Sequence, residues 1–192
     1  MELDKKLVAD KLRRWRTYLL NYRLPDWENI PDFGLYMEQV LVLLKQYLDY
    51  FPPELKEEQF ITAATINNYV RKKIMPEPIR KRYYRSHIAY LLIICSLKQS
   101  LSISLLQRLF PLGLSEEELR EQYSAYAARQ HLVTQYFVEQ VEQHAAGLLE
   151  HEPVRDISTD DPQELILTVA VASGFARLMA EKLILLDGEK EE

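Results

Sequence analysis

Residues 60–100 read FITAATINNYVRKKIMPEPIRKRYYRSHIAYLLIICSLKQS, and the order of helix formers, prolines and arginines in this stretch decides the fold. Thr62 stands where a short hydroxyl side chain accepts the first free backbone N–H groups of a helix, so a helix is predicted from about Ala63 to Lys73. Pro76 and Pro78 lack the N–H that would continue it. From Pro78 to Ser86 the chain is too short for another helix and rich in Tyr and Arg, which favours a small wing or strand pair. Ser86 is the expected cap of the apolar helix that follows, HIAYLLIICSLKQS.

At 100° per residue the first of these helices places Ile66, Tyr69, Val70 and Lys73 on one side and Ala64, Asn67, Asn68, Arg71 and Lys72 on the other. The apolar side is made to dock. The polar side carries residue types that read base edges in a major groove, Asn on adenine and Arg on guanine, and Ala63 and Ala64 are small enough for close approach. Arg71, Lys72, Lys73, Arg80, Lys81, Arg82 and Arg85 then put seven positive charges within fifteen residues, against Glu77 alone. Phosphate contact is the natural use of such a run, and four phosphates engaged give log affinity a slope of about −3.6 in log salt. A solvated face, or docking to an acidic protein surface, competes with that reading.

Outward from this stretch the chain is helical in both directions. Residues 2–22 space Leu3, Leu7, Leu12, Trp15 and Leu19 along one face. NYRLPDWENIPDF (21–33) holds Pro25 and Pro31 and reads as an extended linker anchored by Trp27 and Phe33. LYMEQVLVLLKQYLDYF (35–51) repeats Val40, Leu43, Leu44, Tyr47 and Leu48 at helical spacing until Pro52 and Pro53 stop it, and PPELKEEQ is a polar loop. Downstream, Ser102 caps ISLLQRLF, and Ser115 with Glu118 forms a capping box for a long helix to about His151. That helix carries a stripe of Leu119, Tyr123, Tyr126, Val133, Phe137, Val141 and Leu148. Asp161, Pro162 and Glu164 mark the start of a last apolar helix, which Arg177, Glu181 and Lys182 interrupt too often for a membrane span.

Composition bounds the function. The 192 residues are 47% hydrophobic and 28% charged with five glycines, which suits a helical globular chain. The net charge of −5 is unevenly spread: residues 71–108 hold nine basic and one acidic side chain, whereas residues 116–192 hold six and seventeen. A positive island in an acidic protein points to a local polyanionic partner. The one cysteine, Cys95, lies in an apolar run, so a reducing compartment is expected, and no apolar leader precedes Trp15, so the cytoplasm is the expected location. His87, His131, His144 and His151 have no HExxH or CxxC around them, and no glycine-rich phosphate loop exists. No enzyme, metal or cofactor is expected.

The string TINNYVRKKIMPEPIRKRYYRSHIAYLLIICSLKQSLSIS, together with LPDWENIPDFGLYMEQV, resembles a bacterial family known as domain of unknown function 1836, over about residues 24–115. More distantly, the same stretch is similar to the DNA-binding domain of mercury-resistance-regulator (MerR) type transcription factors. That second resemblance implies a recognition helix at Thr65–Tyr69, a loop at Ile74–Pro78, the end of a wing at Arg82–Tyr84, and further helices at His87–Leu97 and Ser102–Leu109. It departs from the type in having no glycine in the wing and a longer connection, PPELKEEQ, before the recognition helix.

The expected architecture is mostly α: an N-terminal helix (1–23), a helix-turn-helix domain with a reduced wing (24–115), and a helical extension (116–192) able to form a homodimer. The expected partner is double-stranded DNA and not a membrane, in keeping with a transcription regulator. Thr65, Asn67, Asn68, Arg71, Lys72, Lys73, Arg80, Lys81, Arg82 and Arg85 are the candidate contacts. A degenerate helix-turn-helix that binds an acidic protein is the alternative.

Overall fold

A computed structural model of the chain describes residues 5–48, 61–98, 100–149, 160, 162, 172–173 and 176–177. Among them the chain forms α1 (Lys5–Asn21), a single 3-10 turn (Trp27–Asn29), α2 (Met37–Tyr47), α3 (Ala63–Arg71), α4 (Arg85–Leu97), α5 (Ile103–Leu109), α6 (Glu116–His144) and α7 (Ala146–Leu149). The fold is mostly α. The β pairings among the described residues are two isolated antiparallel bridges, Leu35–Tyr83 and Ile79–Arg82. No helix there is long and apolar enough to cross a membrane.

The described residues divide into two compact units, one within residues 1–22 and 130–183, the other within 23–129. In the first, Ala9 of α1 packs against Ala145, Leu148 and Leu149, with Val8 and Leu12 partly buried beside them. Trp15 meets Phe137 edge to face at 5.7 Å between ring centroids. Arg16 pairs with Glu142, and Lys5 reaches Asp160 at 2.8 Å. Small alanines at the contact let the helix backbones come close, which suits the short α7.

In the second unit α4 is the central element. Every residue from His87 to Cys95 is buried, as expected for a helix that is apolar all round and enclosed by its neighbours. α2 packs on both α3 and α4, presenting Val40, Leu44 and Leu48, spaced four apart along one face. The segment before α2 is pinned from the other side: Trp27 is buried near Tyr123, whose hydroxyl donates to the Pro25 carbonyl at 2.7 Å, and Arg120 pairs with Glu28 at 2.6 Å. At the start of α6, Glu118 accepts from the Ser115 N–H at 2.7 Å while Ser115 Oγ accepts from the Glu118 N–H at 3.3 Å, the reciprocal box read from the sequence.

Four local expectations change. α4 begins at Arg85, so Ser86 lies inside it, and the capping acceptor is the His87 ring, which takes the Tyr84 N–H at 3.1 Å. Phe33 is 63% exposed and anchors nothing, whereas Leu24 and Ile30 are buried next to Trp27 in that segment. α6 stops at His144, with a turn at Ala145 before α7, instead of running to His151. Of its predicted stripe Leu119, Tyr123 and Val141 are buried and Tyr126 is half-buried, Leu148 is buried in α7, and Val133 and Phe137 are exposed while Val138 is buried in their stead. The box at Asp161 and Glu164, most of the last apolar helix and the loop PPELKEEQ lie outside the described residues.

His87 ties two segments together. Its Nδ1 accepts from Tyr84 N–H, and its Nε2 lies 2.9 Å from the Glu77 carbonyl oxygen, so the ring is held as the neutral Nε2–H tautomer. The side chain is 2% exposed, and removing it takes the partner from two part-buried backbone groups, a donor and an acceptor, at once. His87→Ala is therefore expected to lower the unfolding free energy by about 3 kcal/mol in urea titration. His87→Asn, which retains an acceptor for Tyr84 N–H, should lose less. Equal loss by both would show that ring volume, and not hydrogen bonding, is what matters.

Candidate functional site

α3 starts where the sequence places it. Thr62 Oγ1 accepts from the Thr65 N–H at 3.2 Å and lies 3.0 Å from Thr65 Oγ1. Ile66 and Tyr69 are buried against the core, and burial pushes the Tyr69 phenol up to about 12. Ala64, Asn67 and Arg71 are exposed on the opposite side, with Thr65 and Asn68 half-buried between the two faces. Arg71 Nη2 donates to Asn68 Oδ1 at 2.9 Å, which aims the guanidinium along the helix surface.

The helix ends two residues short of the expected Lys73, in a Schellman motif. Lys73 N–H bonds to the Val70 carbonyl and Ile74 N–H to the Tyr69 carbonyl, both at 2.9 Å, with Lys73 at φ 53°. Ile74 is buried beneath the turn. Gln107 of α5 completes the end by donating to the Lys72 and Lys73 carbonyls at 3.2 and 3.1 Å. Both lysine side chains are left outside.

After the proline loop the chain turns back on itself at Ile79–Arg82. Ile79 and Arg82 exchange both backbone hydrogen bonds at 3.0 Å, and the two residues between them, Arg80 and Lys81, have φ of 51° and 63°. This is a two-residue hairpin of the kind that needs positive φ at both central positions, for which Asn-Gly is the favoured pair. It lies in the stretch where the sequence predicts a small wing or strand pair, and its tip is Arg-Lys. Among the described residues the non-glycine positions with left-handed φ are Lys73, Arg80 and Lys81, all from the basic run. Each costs about 1 kcal/mol relative to glycine, because the Cβ crowds the carbonyl.

The other two arginines of the run are used inside the fold. Arg82 Nη1 donates to the Gly34 carbonyl at 3.1 Å and Nη2 to the Tyr36 hydroxyl at 2.7 Å, with the guanidinium 4.1 Å above the Tyr36 ring. A Cβ at residue 34 would lie 2.7 Å from Arg82 Cδ and 3.1 Å from Tyr84 Cζ, so only glycine lets the two segments meet. Arg85 Nε donates to the Ile30 carbonyl at 2.9 Å, its Nη2 is 3.5 Å from Asp32, and its side chain is 19% exposed. The reciprocal Leu35–Tyr83 hydrogen bonds, 2.8 and 2.9 Å, close the same seam.

Apart from Arg71, held by Asn68, the basic run separates into two groups. Arg82 and Arg85 hold residues 30–36 to residues 82–85. Lys72, Lys73, Arg80 and Lys81 are exposed and make no ion pair among the described residues. Charges left unneutralised on the surface and carried on strained backbone produce a positive field that a polyanion would relieve. Cys95, by contrast, is enclosed in α4, and burial pushes its thiol up to about 12, which leaves it inert as a nucleophile.

Sequence reasoning missed His87, Gly34 and Gln107. The spacing Tyr84-x-x-His87 has the form of a capping box with a ring nitrogen as acceptor. For Gly34 and Gln107 the partners lie 48 and about 35 residues away, and no local pattern announces them.

The model of a protein family described as Domain of unknown function (DUF1836) matches residues 25–132 of the chain. No curated protein and no solved structure matches it.

Replacing Arg80 by Asn and Lys81 by Gly installs the dipeptide that the hairpin geometry prefers. The double variant is expected to be more stable than the parent by about 1–2 kcal/mol in chemical denaturation. A loss of stability would mean that the two side chains contribute to folding by themselves.

Proposed function

The chain belongs to the family described as Domain of unknown function (DUF1836), and for this member we propose that it binds double-stranded DNA as a transcription regulator, through the exposed face of α3 and the 79–82 hairpin. The observation that carries the reading is the location of the backbone strain. Glycine or asparagine would relieve Lys73, Arg80 and Lys81, so the cationic side chains there serve something other than folding.

The parts fit a helix-turn-helix with a reduced wing, similar to that of MerR-type regulators. α2 packs against α3 and α4, the three-helix arrangement in which the middle helix is free to enter a groove. α3 has nine residues and is about 14 Å long, and a major groove is about 12 Å wide. Asn67 and Arg71 are the base-edge readers, Asn68 holds Arg71 in place, and Thr65 lies near the helix start, where the backbone comes closest to DNA. Lys72, Lys73, Arg80 and Lys81 contact phosphates, and Arg82 and Arg85 position the hairpin that carries two of them.

The test is a fluorescence anisotropy titration of the full chain against mixed duplex DNA at several salt concentrations. Four phosphate contacts give a log–log slope of about −3.6, and Arg80→Asn with Lys81→Gly should cut it to about −1.8. Arg71→Glu with Lys72→Glu should abolish binding without unfolding the protein. Absence of duplex binding at low salt, or unchanged affinity in the Arg71/Lys72 variant, would refute the proposal and favour docking to an acidic protein.

A further inference from the structure

On α6 the middle of the helix is apolar on its outer side. Leu132, Val133 and Tyr136 are 55%, 53% and 60% exposed, in one patch. Isolated exposed apolar residues need no explanation, but here three large ones share a ridge, exposing on the order of 400 Å² together with the edge of Phe137. The same helix buries Tyr123, Val138 and Val141, so its core-facing side is already filled and the ridge is additional.

The polar residues around the ridge indicate what covers it. Arg129 and Glu139 are both exposed, and neither makes an ion pair among the described residues. They stand five positions before and five after Thr134, with the ridge between them. At 100° per residue, Arg129, Leu132, Val133, Tyr136 and Glu139 fall within about one third of the helix circumference. A helix face with a positive charge at one end, a negative charge at the other and apolar residues between is complementary to itself when turned end for end.

We propose that this face of α6 pairs with the same face of a second copy of the chain, antiparallel, about a two-fold axis level with Thr134 along the helix. Arg129 of each copy then meets Glu139 of the other, and Leu132 packs beside Tyr136 across the axis. The contact is isologous, as two-fold dimers require, so each residue's partner is fixed by the symmetry and the surface is consumed. The apolar ridge provides about half of the roughly 800 Å² per subunit found in stable interfaces, and polar neighbours along both helices provide the rest. The pairing is independent of DNA binding and stands or falls by itself.

Sedimentation velocity of the full chain over a range of concentrations is the direct test. The parent should show a reversible monomer–dimer equilibrium. Tyr136→Asp should weaken the dimer by about tenfold or more, with helix content by circular dichroism unchanged. Arg129→Glu alone and Glu139→Arg alone should each weaken it, and the double swap should restore it. Two residues ten positions apart on one helix cannot reach each other within a chain, so restoration requires a partner helix. A monomer at all concentrations would overturn the proposal and leave the ridge to another segment of the chain or to a different protein. A dimer indifferent to Tyr136→Asp, or a double swap that fails to restore association, would overturn it as well.

Discussion

The placement of the basic hairpin depends on one contact, the buried imidazole of His87 between two backbone groups. α4 starts at Arg85, because Tyr84 is extended, and the part-buried Tyr84 N–H finds its acceptor one turn into the helix. His87 supplies that acceptor and uses its other nitrogen to hold the Glu77 carbonyl. The proline loop is thereby fixed at its middle to the helix at its end, and the hairpin at 79–82 lies between two secured points. Arg82, Arg85 and the Leu35–Tyr83 bridge secure the far side. A loop of this length without such restraints would sample many conformations and could not hold Arg80 and Lys81 in a left-handed backbone.

Those restraints account for a division of labour that charge alone conceals. Seven cations within fifteen residues look alike in the sequence, yet two are half-buried structural donors and five are exposed, of which Arg71 is oriented by Asn68 and the other four make no ion pair among the described residues. Those four cluster at two backbone features, the Schellman end of α3 and the hairpin tip, both of which select for glycine. Stability and charge display are therefore in opposition at Lys73, Arg80 and Lys81. Natural sequences tolerate such opposition mainly where a site requires it.

Much of the helical frame was legible in the sequence, because its signals are local. The caps at Thr62, Ser102 and Ser115, the Val40–Leu44–Leu48 spacing and the two faces of α3 follow from short-range rules, and each is present. The α4 cap was misread because Ser86 is the usual capping type and a histidine acceptor is not. The α6 stripe was only partly right because the face a helix buries is set by what packs on it: Leu119 and Phe137 share one angular position, yet the first is buried and the second exposed. The candidate site was legible in composition but not in arrangement. Which arginines are structural is decided by Gly34, Tyr36 and Ile30, about fifty residues upstream.

The most direct test of the central claim is a titration of the isotopically labelled full chain with mixed duplex DNA at low salt, followed by amide proton–nitrogen correlation spectra. Shifts concentrated at residues 64–73 and 79–82 are expected, with the amides around Leu132 and Tyr136 unmoved. Shifts confined to other surfaces, or none while the protein stays folded, would contradict it.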